Sequence, residues 1–259
     1  MENITIVESF ELPSKGLIYN VPVSATFQLR SMTTEDEMKR LSHSEDAYRL
    51  LSEIMDSCML NDIGISCYDM HIGDYQYVLH RLRVVTYGAD YKMSSFCPYC
   101  GNNDIYNIDL DSLNIIPFNE EEYKKYSNIT LPRSKKNVEL GFMTPRMLDQ
   151  IEAKKREDKR KKSSTGTLTS TTNKIDNSLL YTMNYIVKTI NGKTYDPVRK
   201  EAILRALELA DTNTIMQYGN KLNSFMGLEA IIPNICSSCG GDYKVPFRLT
   251  SEFFGPSIE

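Results

Sequence analysis

The chain has 259 residues, of which 41% are hydrophobic and 25% are charged, values ordinary for a globular protein with room for a hydrophobic core. Its 30 Lys and Arg residues against 34 Asp and Glu residues leave a net charge of −4, which argues against a general nucleic-acid coat. We expect no signal peptide and no membrane span, because the first residues lack a basic segment and no stretch is long and apolar enough. In a reducing compartment, Cys-x-x-Cys pairs favour a metal over a disulfide.

The N-terminal third predicts an extended arm followed by helices. Residues 1–32 alternate apolar and polar side chains in the manner of strands, and they form the predicted N-terminal β arm. Residues 33–90 predict a helical unit. Its first helix is expected to begin at a capping box of Thr34 and Glu37, and Ser44 is the predicted cap of the second.

The remaining two thirds predict a ribbon whose halves are far apart in the chain. Residues 91–118 and 231–250 each predict strands around a cysteine pair, and residues 119–230 predict a mostly helical insertion between them. Residues 163–173 are rich in Ser and Thr and predict a flexible loop. Residues 251–259 form an aromatic C-terminal tail. Further helices are expected at about 74–87, from 145 onwards, and at about 176–190, 197–210 and 212–226.

Two cysteine pairs are the most specific signal in the sequence. Cys97 and Cys100 lie in Cys-Pro-Tyr-Cys-Gly, and Cys236 and Cys239 lie in Cys-Ser-Ser-Cys-Gly. A two-residue spacer lets both sulfurs of a pair face one ion, so the four cysteines predict a tetrahedral zinc site. Four protein ligands leave no position open for water, and the predicted zinc is therefore structural. The chain between the two cysteine pairs has about 135 residues, much longer than usual for a zinc ribbon.

Other candidates for chemistry are weaker. Redox-active cysteine pairs remain the alternative to zinc, although that motif favours a strand-to-helix junction. Cys58 and Cys67 are interpreted as small buried residues, with use as enzymatic nucleophiles as the minor alternative. The three histidines do not form a His-x-x-x-His pair, so structural or surface roles are expected for them: His43, His71 and His80.

Two further segments suggest contacts with partners. The basic run at 154–162 is diluted by Glu157 and Asp158, and a solvated helix end is favoured over a nucleic-acid contact. Phe253 and Phe254 are adjacent aromatic residues near the C-terminus. Either they anchor in a pocket of a partner protein, or they pack back onto the ribbon.

Several stretches of the chain resemble the baseplate hub family of contractile-tailed bacteriophages. Those that carry the resemblance are FELPSKGLIY at 10–19, LRSMTTEDEMKRLS at 29–42, YDMHIGDYQYVLHRLRVVTY at 68–87, CPYCG at 97–101, CSSCG at 236–240 and PFRLTSEFFGP at 246–256. The resemblance implies a subunit or assembly factor of the tail baseplate hub, without an enzymatic active site. It also implies protein partners in the hub or tail, with the tape-measure protein as one candidate.

Together these observations predict an α+β protein with a split four-cysteine zinc ribbon. The predicted function is a non-enzymatic structural or assembly component of a phage tail baseplate hub, in the virion or in the host cytoplasm during assembly. The alternative is a zinc-ribbon accessory factor that binds nucleic acid through the basic run, and steep salt dependence of such binding would distinguish it.

Overall fold

The computed structural model describes residues 7–164, 176–229, 231–247 and Phe253, with the side chains of 161–164 left out of the description. Most of the predicted loop at 163–173 and the side chain of Phe254 therefore lie outside the described residues. Residues 163 and 164 still belong to a helix. Within the described ranges, no helix has both the length and the hydrophobicity that crossing a bilayer requires.

Helices and short antiparallel strands alternate along the chain, so the protein is a mixed α and β structure. The described helices are α1 Thr34–Arg40, α2 Ala47–Cys58, α3 Ile72–Tyr87, α4 Glu120–Ser127, α5 Pro145–Ser164, α6 Ser178–Ile186, α7 Pro197–Arg205 and α8 Leu209–Ser224. The described strands are β1 Val7–Glu11, β2 Thr26–Arg30, β3 Asp90–Phe96, β4 Asn103–Asp109, β5 Ile115–Ile116, β6 Asn128–Thr130, β7 Asn137–Leu140, β8 Val187–Ile190, β9 Gly227–Leu228, β10 Ile231–Ile235 and β11 Asp242–Pro246.

The strands form small sheets instead of one large one. Two-stranded antiparallel pairs join β1 to β2, β3 to β4, β5 to β9 and β10 to β11. Strands β6, β7 and β8 form a three-stranded antiparallel sheet. Since a lone two-stranded hairpin is marginally stable in water, each pair depends on what it packs against.

Helix α1 begins one residue earlier than the sequence suggested. The capping box uses Thr33 and Asp36, not Thr34 and Glu37: the Asp36 N–H donates to Thr33 Oγ1 (3.3 Å) and the Thr33 N–H donates to Asp36 Oδ2 (2.8 Å). Asp36 also forms an ion pair with Arg30 at the end of β2 (2.7 Å). That tertiary ion pair favours Asp36 as the capping carboxylate, and it ties α1 to the β arm.

Helix α2 is capped from a distant part of the chain and not by the predicted Ser44. Its first turn donates the N–H groups of Tyr48 (3.3 Å) and Arg49 (2.8 Å) to the carboxylate of Asp149 on α5. The preceding residue, Asp46, makes no side-chain cap bond. An acceptor that lies about a hundred residues away satisfies the free donors of the helix start.

One hydrophobic cluster extends across the N-terminal hairpin, the first helices and the start of the ribbon. Strand β2 contributes Phe27 and Leu29, and α3 contributes the face with Val78 and Leu82, all at most 1% exposed. Leu110, which follows β4, and Phe247, which follows β11, belong to the same cluster. The β arm, the helical unit and the edge of the ribbon thus share one core.

A second cluster fills the segment predicted as a mostly helical insertion. It joins α5, α6 and α8 to the three-stranded sheet. The predicted helix at 176–190 ends at Ile186, because Val187–Ile190 pairs with β7 as strand β8. The β-branched Val187, Thr189 and Ile190 suit a strand, and the pairing overrides the helical periodicity.

Helix α3 connects the two clusters through buried polar bonds. Asp74 accepts the Ser14 N–H (3.0 Å) and the Tyr19 hydroxyl (2.6 Å), which fastens the Pro-Ser-Lys-Gly turn to the helix. His71 accepts the Gly73 N–H at Nδ1 (2.8 Å) and donates from Nε2 to the Leu222 carbonyl of α8 (3.0 Å). A Cβ on Gly73 would lie 2.5 Å from the Met226 carbonyl, so the two backbones approach too closely for a larger residue.

The buried histidines predict a loss of stability in mild acid. Burial lowers the pKa of His71 and of His80 from 6.5 to about 4. The unfolded chain therefore binds more protons between these values, and the free energy of unfolding falls as the pH drops from about 6.5 towards 4. We expect each histidine to lower the free energy of unfolding by about 1–2 kcal/mol between pH 7 and pH 5.

Urea unfolding of the wild type and of His71→Gln at pH 7 and pH 5 measures how much of the loss of stability is due to His71. The wild type should exceed His71→Gln in free energy of unfolding by less at pH 5 than at pH 7. Acid removes the stabilisation by His71 from the wild type, and the variant does not have it at either pH. His43→Gln is the control, since His43 is exposed. A wild-type advantage over His71→Gln that stays constant with pH would contradict the prediction.

Candidate metal centre

Two β-hairpins place the cysteine pairs at their turns. Strands β3 and β4 flank the first pair, with Phe96 opposite Asn103 as the last paired residues before the turn. Strands β10 and β11 flank the second pair, with Ile235 opposite Asp242. Each first cysteine therefore follows directly after a strand, in agreement with the strand context predicted for both pairs.

The two turns repeat the same backbone hydrogen bonds. The Cys97 N–H donates to the Asn102 carbonyl (2.8 Å), and the Cys236 N–H donates to the Gly241 carbonyl (3.0 Å). The glycine after each second cysteine donates back to the carbonyl of the first, at 2.9 Å in both turns. Gly101 has φ 74° and Gly240 has φ 70°, the left-handed conformation that glycine adopts without a Cβ clash.

The four sulfur atoms come together between the turns. Cys97 Sγ lies 3.8 Å from Cys239 Sγ, Cys100 Sγ lies 3.6 Å from Cys236 Sγ, and all four lie within 4.8 Å of one another. A tetrahedral ion with metal–sulfur bonds of about 2.3 Å needs sulfur–sulfur separations of about 3.8 Å. The donor set fits one ion, and four sulfurs in a tetrahedron are typical of zinc or iron.

The backbone around the first cysteine favours the thiolate that a metal requires. Burial raises the pKa of the Cys97 thiol, but N–H groups of Cys100 and Tyr99 outweigh this effect and lower the pKa to about 7. The Tyr99 N–H donates to Cys97 Sγ at 3.4 Å. Cys97 and Cys236 are buried, whereas Cys100 and Cys239 are exposed. The cluster therefore lies at the edge of the fold, with one side open to solvent.

A carboxylate that the sequence analysis overlooked links the two hairpins beside the sulfurs. Asp104 on β4 is only 5% exposed and accepts hydrogen bonds from the hydroxyl of Ser237 and from its N–H (3.4 Å). The Tyr243 hydroxyl on β11 donates to its other oxygen (3.2 Å). Strand alternation places Asp104 on the inward face of β4 together with Ile108. An acidic residue on that face could have indicated a buried polar contact from the sequence alone.

The other two cysteines and the buried histidines belong to the core. Cys58 and Cys67 are fully buried in the first hydrophobic cluster. Burial raises the pKa of the Cys58 thiol to about 11 and that of Cys67 well above its ordinary value. Low thiolate content and lack of solvent access make both poor nucleophiles. His80 donates to the Leu110 carbonyl (3.0 Å), a structural role like that of His71.

The described part of the basic run is largely engaged within the protein. Arg156 contacts the Glu45 carbonyl (2.8 Å) and Asp46 Oδ1 (3.2 Å) ahead of α2, and Arg160 contacts the Glu45 carboxylate (3.1 Å). Lys154 lies over the rings of two tyrosines on α6. These contacts use the positive charge to dock α5 against its neighbours, which leaves less of it for phosphate groups.

Phe253 lies in the protein's own core. It is 0% exposed and packs on Tyr91 (5.2 Å between ring centroids) and Phe247 (5.7 Å), while its carbonyl accepts from Arg83 Nε (2.9 Å). This is the packing alternative considered for the aromatic tail, and the ring is not available to a partner in this conformation. A partner contact through Phe254 stays a prediction.

Comparison with known proteins places the chain in a family. The model of the family described as T4 bacteriophage base plate protein matches residues 5–255. The match covers nearly the whole chain, so the protein belongs to this family of phage baseplate proteins. Searches of curated proteins and of solved structures found no match.

The sulfur geometry predicts a specific cross-link. In a Cys97→Ser, Cys239→Ser double variant, the remaining pair Cys100 and Cys236 has sulfurs 3.6 Å apart. In the presence of a chelator, we expect mild oxidation with diamide to join Cys100 and Cys236 by a disulfide. Peptide mass mapping detects the linked peptide. A third substitution, Cys100→Ser, is the control and should abolish the linked peptide. If Cys100 and Cys236 both remain free thiols after oxidation of the double variant, the hairpins do not meet as described.

Proposed function

We propose that this protein is a non-enzymatic structural or assembly component of the phage tail baseplate hub, held together by a structural zinc ion. Membership of the baseplate protein family supports the tail location. The observation that carries the zinc proposal is the convergence of four sulfurs from two distant hairpins. The position in the hub rests on the resemblance of the sequence segments described above.

The proposed zinc ligands are Cys97, Cys100, Cys236 and Cys239. When bound, the ion would supply four metal–sulfur bonds and a closed coordination shell, which is the property of a structural site. In this interpretation the two hairpins form one split zinc ribbon, and the ion closes a loop of about 135 residues. The chain between the hairpins, with the second hydrophobic cluster, is then clamped at both ends.

The segment boundaries predicted from the sequence become part of this proposal. They comprise a β arm at 1–32, a helical unit at 33–90, the split ribbon, an insertion at 119–230 and a tail at 251–259. The shared first cluster supports treating the arm, the helical unit and the ribbon edge as one packed body. The insertion has a core of its own.

The outer faces of the two hairpins support contacts with other tail proteins. Phe96 and Ile105 on the first hairpin are 73% and 74% exposed, and Ile235 on the second is 66% exposed. Large apolar side chains clustered on exposed strands are typical of interaction surfaces. We propose that these faces contact other proteins of the hub, with the tape-measure protein as one candidate. Binding to nucleic acid is the less favoured function, because Lys154, Arg156 and Arg160 of the basic run contact other parts of the protein.

Metal analysis tests the zinc proposal. The purified protein should contain one equivalent of zinc, and chelation should lower its unfolding temperature. Cys100→Ser and Cys239→Ser should each lose most of the metal, because both positions are exposed and each substitution opens the coordination shell. Cys58→Ala is the control and should keep the zinc. Stoichiometric zinc in both serine variants, or none in the wild type, would contradict the assignment.

A complementation experiment tests the assembly role. Phage in which this gene is disrupted should produce lysates without complete tails in electron micrographs, and the wild-type gene should restore them. A Phe96→Ser, Ile235→Ser variant should fold and bind zinc but fail to complement, because it loses the apolar docking side chains. Leu17→Ser is the control, since Leu17 is exposed on a different element. Normal tails without the gene product would refute the assembly role.

A further inference from the structure

The two cysteine hairpins contact each other through equivalent positions. Asp104 is the fourth residue after Cys100, and Tyr243 is the fourth residue after Cys239. Their side chains meet directly, with the Tyr243 hydroxyl donating to Asp104 Oδ2 at 3.2 Å. The hydroxyl also lies 2.9 Å from Ser95 Oγ and accepts from Asn234 Nδ2 at 2.8 Å, one contact from each hairpin. The polar contact therefore lies at the centre of the joint between the hairpins.

Asp104 also reaches into the second cysteine turn. Its Oδ1 accepts from the hydroxyl of Ser237 and from the Ser237 N–H (3.4 Å), and Ser237 directly follows Cys236. Asn102 Nδ2, from the first turn, donates to the same oxygen at 2.8 Å. A single buried carboxylate thus holds the backbone next to Cys236 in a fixed relation to the first hairpin.

We propose that Asp104 is a positioning residue for the metal centre: it orients the turn of Cys236 and Cys239 towards Cys97 and Cys100, and metal affinity depends on it. The inference rests on the proposed metal site, whose ligands it leaves unchanged. Carboxylates beyond the ligand shell commonly fix ligand orientation, and losing one typically costs 10–100-fold in affinity. Because Asp104 bonds to Ser237 and Tyr243 of the second hairpin, the two hairpins are preorganised for the ion.

The chain offers two matched pairs of variants. Asp104→Asn and Asp242→Asn remove the same charge near opposite turns, but Asp242 is exposed at the start of β11. Ser237→Ala and Ser238→Ala remove neighbouring hydroxyls between the same two cysteines, and only that of Ser237 donates to Asp104. The serine pair keeps the inference testable if the Asp104→Asn variant fails to fold, since Ser237 is exposed and its loss leaves the buried position untouched.

The test is competition for Zn²⁺ against a chromophoric chelator, with the full chain, after circular dichroism confirms that each variant is folded. We expect Asp104→Asn to bind Zn²⁺ about 10–100-fold more weakly than wild type. Ser237→Ala removes one hydrogen bond and should bind roughly 3–10-fold more weakly. Asp242→Asn and Ser238→Ala should stay within about twofold. If Asp104 acts through Ser237, Ser237→Ala should reduce Zn²⁺ affinity less in the Asp104→Asn background than in the wild type.

Co²⁺ spectra provide a readout that a purely structural role would not move. The sulfur-to-cobalt charge-transfer bands of the wild type should shift or weaken in Asp104→Asn and stay unchanged in Asp242→Asn. Equal Zn²⁺ affinity and equal Co²⁺ spectra in Asp104→Asn and Asp242→Asn would overturn this inference while leaving the zinc proposal intact. A wild type that binds neither ion would overturn both.

Discussion

The joint between the two cysteine hairpins is the constraint on which the arrangement of the whole chain depends. Each hairpin has only two strands, and an isolated two-stranded hairpin is marginally stable. The hydrophobic cluster between them has just four buried members in the described residues: Cys97, Cys236, Tyr243 and Val245. Away from the sulfurs, Leu110 and Phe247 also join the two hairpins through the first hydrophobic cluster. Beside the sulfurs, the hydrogen bonds of Asp104 to Ser237 and Tyr243 supply the buried polar part of this connection.

Helix α3 joins the other parts of the fold to one another. Its apolar face completes the first hydrophobic cluster, while His71 and Asp74 at its N-terminal end bond to α8 and to the turn after β1. Near its C-terminal end, Arg83 donates to the carbonyl of Phe253, which fixes the described end of the tail against the same helix. One helix thus joins the N-terminal hairpin, α8 and Phe253, and the first cysteine hairpin begins shortly after it. A protein that other subunits dock against gains rigidity from such a shared element.

Local signals in the sequence predicted the starts of α5 and α7 and the clustering of the four cysteines, while long-range contacts decided other features. Asp196-Pro197 and Thr144-Pro145 start helices as expected, because a cap and a proline act within one turn. The ligand spacing and the glycines of the turns are local as well. Asp149 as the cap of α2, strand β8 in place of a helix end, and Asp104 between the hairpins were not predicted, since each depends on a partner about 50 to 130 residues away. Short-range pattern carries no information on such partners.

In the proposed metal centre, one ion held by the four cysteines joins the two hairpins. X-ray absorption at the zinc edge on the purified full chain tests it most directly, because the first coordination shell reports ligand type and number. We expect a single shell of four sulfur atoms at about 2.3 Å from zinc. A shell with nitrogen or oxygen ligands, or fewer than four sulfurs, would contradict it.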